Sequence, residues 1–255
     1  MLAIDRQNAI KQMLKDEDSV SILFLSQYFN VTGETIRRDF DKICAEDPRV
    51  IKIYGGAYIA KANEDTPYNI REVAKKEEKR RIASFCFHHY IHDNECVMLD
   101  GSTTSLQIAN LLAEANLSLT VITNGLAALQ VLSGNPQINI INTGGIYSHS
   151  AHTFFGQTAI TTLNRYRADV SFISSSAIDI NGDIMDSNEE TTQFHINMLN
   201  NSKEHHLVID SNKFGRNRPI RLGNVATFDS VITDNDPGEE WAKMFLNHGV
   251  ELVIA

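Results

Sequence analysis

Apolar positions near the start of the chain recur at helical spacing. Ile10, Met13 and Leu14 fall on one face of residues 6–14, and Ile22, Leu25 and Phe29 on one face of residues 21–29. A polar break at residues 30–33 precedes a third stripe, Ile36, Phe40 and Ile43, over residues 33–43. Over residues 49–59 the pattern changes to β-branched residues around Gly55-Gly56, which predicts a short ribbon with a tight bend. Helix, helix, turn, helix and ribbon is the order of a winged helix-turn-helix. Residues 61–80 are poor in apolar positions and end in a charged run, which predicts a linker and helix start. From about residue 82 short apolar runs alternate with amphipathic stretches. Candidate strands are residues 96–100, 119–124, 138–143, 169–174, 207–210, 230–233 and 250–254, with helices such as 105–114 and 126–132 between them. That alternation predicts a mainly parallel α/β sheet covered on both faces, whose ligands sit at the carboxyl ends of the strands. The expected organisation is a winged helix-turn-helix over 1–60, a linker over 61–80 and a second domain over 81–255.

Charge changes this picture in one respect. The 255 residues carry a formal net charge of −9, from 23 basic and 32 acidic side chains, which argues against a broad nucleic-acid-binding surface. The acidity lies downstream, because residues 1–60 hold eight basic and nine acidic side chains. A DNA-binding first domain would therefore rely on a few placed cations. No stretch approaches the roughly 18 apolar residues of a membrane span. The charged N-terminus lacks a signal-peptide core. Three cysteines, Cys44, Cys86 and Cys96, form neither a C-x-x-C pair nor an even framework. These features predict a soluble cytoplasmic protein with no membrane partner.

Two patterns point to chemistry. With Ile36 at the centre of the third helix's buried face, a step of about 100° per residue places Phe40 and Ile43 within about 40° of it. Arg38 and Lys42 then lie nearly opposite, and Arg37 on a flank. Thr32 is placed to cap the helix at the Thr35 amide. Such a helix can lie in a major groove, where arginine pairs with a guanine edge and lysine neutralises phosphate. The alternative is a surface helix whose Arg37 and Arg38 pair with Asp39 and Asp41. The second pattern is Asp100-Gly101-Ser102-Thr103-Thr104, a buried strand ending in a hydroxyl-rich turn that opens a helix. Glycine lets backbone approach a ligand, and a helix N-terminus attracts phosphate. No Walker lysine follows, so a nucleotide triphosphatase is not expected. Similar turns at Thr123-Asn124, Gly144-Gly145 and Asp210-Ser-Asn-Lys213 end neighbouring strands. Asp210 can accept from sugar hydroxyls and Lys213 can neutralise phosphate; the alternative is a surface salt bridge. The nine histidines show no zinc-protease spacing and are assigned to structure or surface, with no metal and no cofactor expected.

These residues, in this order, resemble the DeoR/GlpR family of bacterial transcriptional repressors over nearly the whole chain. The resemblance rests on Val31-Thr-Gly-Glu-Thr-Ile-Arg-Arg-Asp39, Tyr54-Gly-Gly-Ala57, Lys79-Arg-Arg-Ile-Ala83, Asp100-Gly-Ser-Thr-Thr104, Thr123-Asn124, Gly144-Gly145, Asp210-Ser-Asn-Lys-Phe-Gly215 and Thr233-Asp234. It implies a repressor of a sugar or nucleoside catabolic operon, with a second domain resembling ribose-5-phosphate isomerase that senses a phosphorylated sugar. Thr32, Thr35, Arg37, Arg38, Lys42 and Lys52 would meet double-stranded operator DNA. Asp100, Gly101, Ser102, Thr103, Thr104, Thr123, Asn124, Gly144, Gly145, Asp210 and Lys213 would form the effector site. Two half-sites imply a homo-oligomer. Three positions depart from the family. Thr32 replaces a usual serine and Lys52 a usual arginine, and Phe172-Ile-Ser-Ser-Ser-Ala177 stands where glycines are common. The rival readings are a sugar-phosphate isomerase or deaminase with an accessory N-terminal domain, and a scaffold whose helical domain binds protein.

Overall fold

A computed structural model of the chain describes residues 2–17, 19–47, 49–53, 55–59 and 66–255. Tyr54 of the expected wing and residues 61–65 of the expected linker lie outside the described residues. The chain divides into two compact units, Met1–Lys76 and Glu77–Ala255.

The first unit contains α1 (Ala3–Glu17), β1 (Ser19–Ser21), α2 (Ile22–Phe29), α3 (Gly33–Glu46), β2 (Val50–Ile53), β3 (Gly56–Ile59) and α4 (Tyr68–Val73). The predicted ribbon forms, and β1 joins it to give an antiparallel sheet of order β1-β3-β2. Gly56 permits this approach, because a Cβ there would stand 2.2 Å from the Val20 carbonyl oxygen. The three predicted apolar stripes meet in one core that includes Ile10, Leu14, Leu25, Ile36, Phe40 and Ile43. A polar group enters this core as well. Asp39 is buried, receiving Arg6 Nε at 2.6 Å and Gln7 Nε2 at 2.7 Å. The pairing of Arg37 and Arg38 with Asp39 and Asp41, weighed from sequence, does not form: Asp39 turns inward to α1, and Asp41 takes Lys52.

The second unit runs through α5 (Lys76–Tyr90), β4 (Cys96–Leu99), α6 (Thr103–Glu114), β5 (Leu119–Thr123), α7 (Leu126–Leu132), β6 (Ile138–Asn142), β7 (Ile146–Ser148), β8 (Thr153–Phe155), α8 (Gln157–Leu163), β9 (Ala168–Ile173), β10 (Ala177–Ile178), β11 (Asp183–Asp186), α9 (Glu189–Asn200), β12 (Ser202–Val208), β13 (Ile220–Asn224), β14 (Ser230–Thr233), α10 (Glu239–His248) and β15 (Glu251–Ile254). All seven candidate strands join one parallel sheet of order β15-β14-β12-β9-β4-β5-β6. Successive residues of its strands feed opposite faces. Val97 and Leu99 pack into a cluster with α5, α6 and α7, while Met98 joins one with α8, α9 and α10. The chain winds outward in both directions from β4 and β9, so the sheet's topological switch lies between them. Two short antiparallel pieces flank the carboxyl edge, the β7–β8 hairpin and the β10-β11-β13 sheet. No described helix is long and apolar enough to cross a membrane.

Candidate functional site

In the first unit, α2 ends at Asn30, whose left-handed backbone (φ 51°, ψ 52°) turns the chain into α3. Thr32 caps α3 as expected, accepting from the Thr35 amide at 3.3 Å, and the two threonine hydroxyl oxygens lie 3.0 Å apart. Ile36, Phe40 and Ile43 face inward, while Arg37, Arg38 and Lys42 are exposed. The Arg38 side chain is 78% exposed. Glu34, one turn earlier, lies 3.5 Å from Arg37 and 3.6 Å from Arg38, and Asp41 bonds Lys52 on the ribbon. Exposed pairs of this kind contribute at most about 1 kcal/mol. Phosphate or a base edge can displace them at little cost.

In the second unit, the parallel sheet brings the other predicted residues to one carboxyl edge. Gly101 and Ser102 follow β4, Thr123 and Asn124 end β5, Gly144 and Gly145 follow β6, and Asp210 and Lys213 follow β12. Ser102 caps α6 by accepting from the Ser105 amide at 3.1 Å, and Thr103 and Thr104 are buried in its first turn. The β7–β8 hairpin closes over this turn. The Gly125 amide donates to Thr123 Oγ1 at 3.0 Å, Asn124 Nδ2 donates to the Phe154 carbonyl at 3.1 Å, and Gly125 bridges to Thr153. Gly144 and Gly145 adopt positive φ of 65° and 113°. At Gly145 a Cβ would stand 2.2 Å from the Phe155 carbonyl oxygen, so this glycine seats the hairpin. Four oxygens on this edge, Asn124 Oδ1, Thr143 Oγ1, Thr153 Oγ1 and, at the end of β14, Thr233 Oγ1, are buried without a hydrogen-bond partner. A buried polar atom left unsatisfied is costly, so such a group marks a place where a ligand or water can gain. Asp210 Oδ1 caps the following turn at the Asn212 amide, 3.0 Å away, and Lys213 lies half-buried in that turn.

Asp100 takes a different part from the one its motif suggested. It is 1% exposed, and its carboxylate is occupied from within the fold. Oδ1 accepts from the Ser102 amide at 3.0 Å and the Ser105 hydroxyl at 2.6 Å; Oδ2 accepts from the Ser174 amide at 2.7 Å and faces His195 Nε2 at 3.2 Å. His195 Nδ1 faces Asp186 Oδ2 at 3.2 Å, and Asp186 Oδ1 accepts from the Ser176 amide at 2.9 Å. Burial alone pulls the imidazole pKa down. The carboxylates of Asp100 and Asp186 outweigh that and push it up to about 9. Burial likewise favours a neutral Asp100, but His195 and the serine donors hold its pKa below the ordinary carboxylate value. Asp186, Thr143 and Thr153 stand outside the motifs read from the sequence, and His195 is one of the nine histidines assigned there to structure or surface. Among the described residues no group of three or more histidine, cysteine or acidic side chains is arranged to hold a metal ion. A cleft of about 400 Å³ lies elsewhere, lined by Phe155, Ile160, Glu189, Gln193, Phe194 and Ile220 among others, and none of the predicted site residues lines it.

A capped helix with an outward arginine face beside a ribbon is a DNA-reading arrangement, and a strand-end edge is where an α/β domain takes a ligand. Comparison with known proteins decides the matter. Residues 74–235 match the model of the DeoR C terminal sensor domain, and residues 6–63 match that of the DeoR-like helix-turn-helix domain. The chain belongs to the DeoR family. It is a DNA-binding transcriptional regulator with a C-terminal sensor domain, not an enzyme. This DeoR-family regulator is 27% identical to the glycerol-3-phosphate regulon repressor of Escherichia coli, covering 100% of both chains. It is 28% identical to the L-fucose operon activator of Haemophilus influenzae, over 98% of this chain and 99% of that one. Its fold is similar to that of ribose 5-phosphate isomerase A from Methanocaldococcus jannaschii, with 13% identity, 55% of each chain covered and a TM-score of 0.42.

Proposed function

We propose that this DeoR-family regulator represses a sugar or nucleoside catabolic operon and is released from its operator by a phosphorylated sugar. The observation that carries the effector half is the set of unpartnered oxygens, Asn124 Oδ1, Thr143 Oγ1, Thr153 Oγ1 and Thr233 Oγ1, at the edge that also holds the N-terminus of α6. Asn124 Oδ1 lies beside Gly101, 3.3 Å from where a Cβ there would stand, so one of these oxygens faces the turn that opens the helix. Hydroxyl and amide oxygens suit sugar hydroxyls, and the helix N-terminus with Lys213 suits phosphate. The names of the two relatives, one a glycerol-3-phosphate regulon repressor and the other an L-fucose operon activator, agree with a sugar or its phosphate as the regulated substrate class. The second of those names leaves activation as the alternative sign, which transcription from the bound promoter distinguishes.

For the DNA half, Thr35, Arg37 and Arg38 face base edges, Lys42 and Lys52 face phosphates, and Thr32 holds the start of the helix. Two such heads in a homo-oligomer match the two halves of an operator. Arg38→Ala is expected to weaken operator binding by about 1–3 kcal/mol and to relax the preference at one base pair. Lys42→Ala is expected to weaken all duplexes alike and reduce the salt slope by about 1. Affinity against salt for duplexes selected from a random pool checks both. Wild-type affinity in the double variant would remove α3 from the interface.

A further inference from the structure

We propose that His195 is a positioning residue: as the bridge between Asp100 and Asp186 it fixes the two loops flanking the sheet's switch point, and so sets the affinity of the effector edge. The inference rests on the reading of that edge as the sugar-phosphate site.

The geometry is closed on every side. His195 sits on α9, 3% exposed, with each ring nitrogen 3.2 Å from a buried carboxylate. Each carboxylate uses its remaining capacity on a loop amide. Asp100 holds Ser102 and Ser174, and Asp186 holds Ser176. Asp100 itself joins the turn after β4 to the loop after β9, 74 positions away, and the imidazole adds Asp186, and through it the Ser176 amide, to that junction. The charged groups that face it are Asp100 from the end of β4 and Asp186 from β11; Glu189 and Glu190 on its own helix are exposed. Two carboxylates buried this deeply repel each other unless a cation lies between them. The protonated imidazole leaves the trio at a net charge of −1, and its loss of the proton leaves −2 beside the place assigned to a phosphate dianion. A group whose folded-state pKa is raised contributes its full stabilisation below its ordinary value of 6.5 and loses it as pH rises through about 9. The second ionisation of a phosphate ester, near pH 6, is nearly complete by about pH 8, below the pH at which the imidazole gives up its proton.

The test uses full-length wild type, His195→Gln and Asp186→Asn. Deuterium uptake is followed in peptides spanning residues 100–105 and 174–176. Affinity is measured from pH 6.5 to 10 for glycerol 3-phosphate, ribose 5-phosphate, fructose 6-phosphate and glucose 6-phosphate, beside the free sugars. His195→Gln is expected to speed exchange in both peptides together, leave β14 protected and operator binding intact, and weaken the bound phosphate at least tenfold. Wild type is expected to lose affinity as pH passes about 9. Asp186→Asn, which removes one carboxylate from the imidazole, moves that fall to lower pH. Unchanged exchange in His195→Gln, equal ligand affinity in His195→Gln, or identical pH profiles for wild type and Asp186→Asn would each overturn the proposal. Should His195→Gln fail to fold, the comparison of wild type with Asp186→Asn decides it. If no phosphate binds wild type, the effector reading itself falls, and the role given to His195 falls with it.

Discussion

Replacing Asp39 with alanine is expected to cost the N-terminal unit about 3–5 kcal/mol, the usual penalty for removing one partner of a buried ion pair. Asp39 is 3% exposed and accepts from both Arg6 and Gln7, so its removal strands the charge of Arg6, a residue itself only 7% exposed. The cost comes from the abandoned charge more than from the lost attraction. Replacing Arg6 and Asp39 together with methionine and leucine should accordingly restore most of the stability. The effect reaches function because Asp39 ties α1 to the helix that carries Arg38. Urea titration of the full chain, read by operator binding, checks it. A loss below about 1 kcal/mol would mean that the pair is solvated and that α3 is held by its apolar stripe alone.

Gly101→Ala is expected to cost about 1–3 kcal/mol by overpacking and to abolish effector binding. A Cβ at this position would lie 1.7 Å from Thr153 Cγ2 and 3.0 Å from its Cβ, and 3.3 Å from Asn124 Oδ1. The β7–β8 hairpin must then lift from the turn that opens α6, taking Thr153 and the Phe154 contact of Asn124 with it. Thr153→Ser removes the offending methyl, so the pair Gly101→Ala with Thr153→Ser should recover part of the stability lost. Thermal unfolding of the three variants, with and without a bound phosphate, tests this. Wild-type stability and binding in Gly101→Ala would place the ligand away from the hairpin.

Much of the architecture was legible because each long element repeats its period. Stripes at four-residue spacing such as Ile36-Phe40 marked the helices, and short apolar runs such as Leu119–Thr123 marked all seven parallel strands. The pieces missed were short. The two-residue β10 and three-residue β1, β7 and β8 are too brief to show a period, and the four-residue β11 and five-residue β13 carry charged residues that interrupt an apolar run. Strand-end turns were readable from their small, hydroxyl-rich residues. The part Asp100 plays was not, because its partners Ser174 and His195 are set by topology rather than by local sequence. One local signal was available and unused. On the wheel that placed Arg38 outside, Asp39 falls only about 60° from Ile36, which is the buried side.

In the proposed switch, a sugar phosphate at the strand-end edge of the second unit lowers the affinity of the first for the operator. The direct measurement is operator affinity of the full chain, titrated with each phosphate of the panel and with its free sugar. One phosphate is expected to weaken operator binding about 5- to 150-fold, a coupling of about 1–3 kcal/mol, while its free sugar leaves it unchanged. The same ligand, at a hundredfold excess over its Kd, should stabilise the fold by about 2.7 kcal/mol. Operator affinity that stays constant across the panel, or that falls equally with the free sugars, would contradict it.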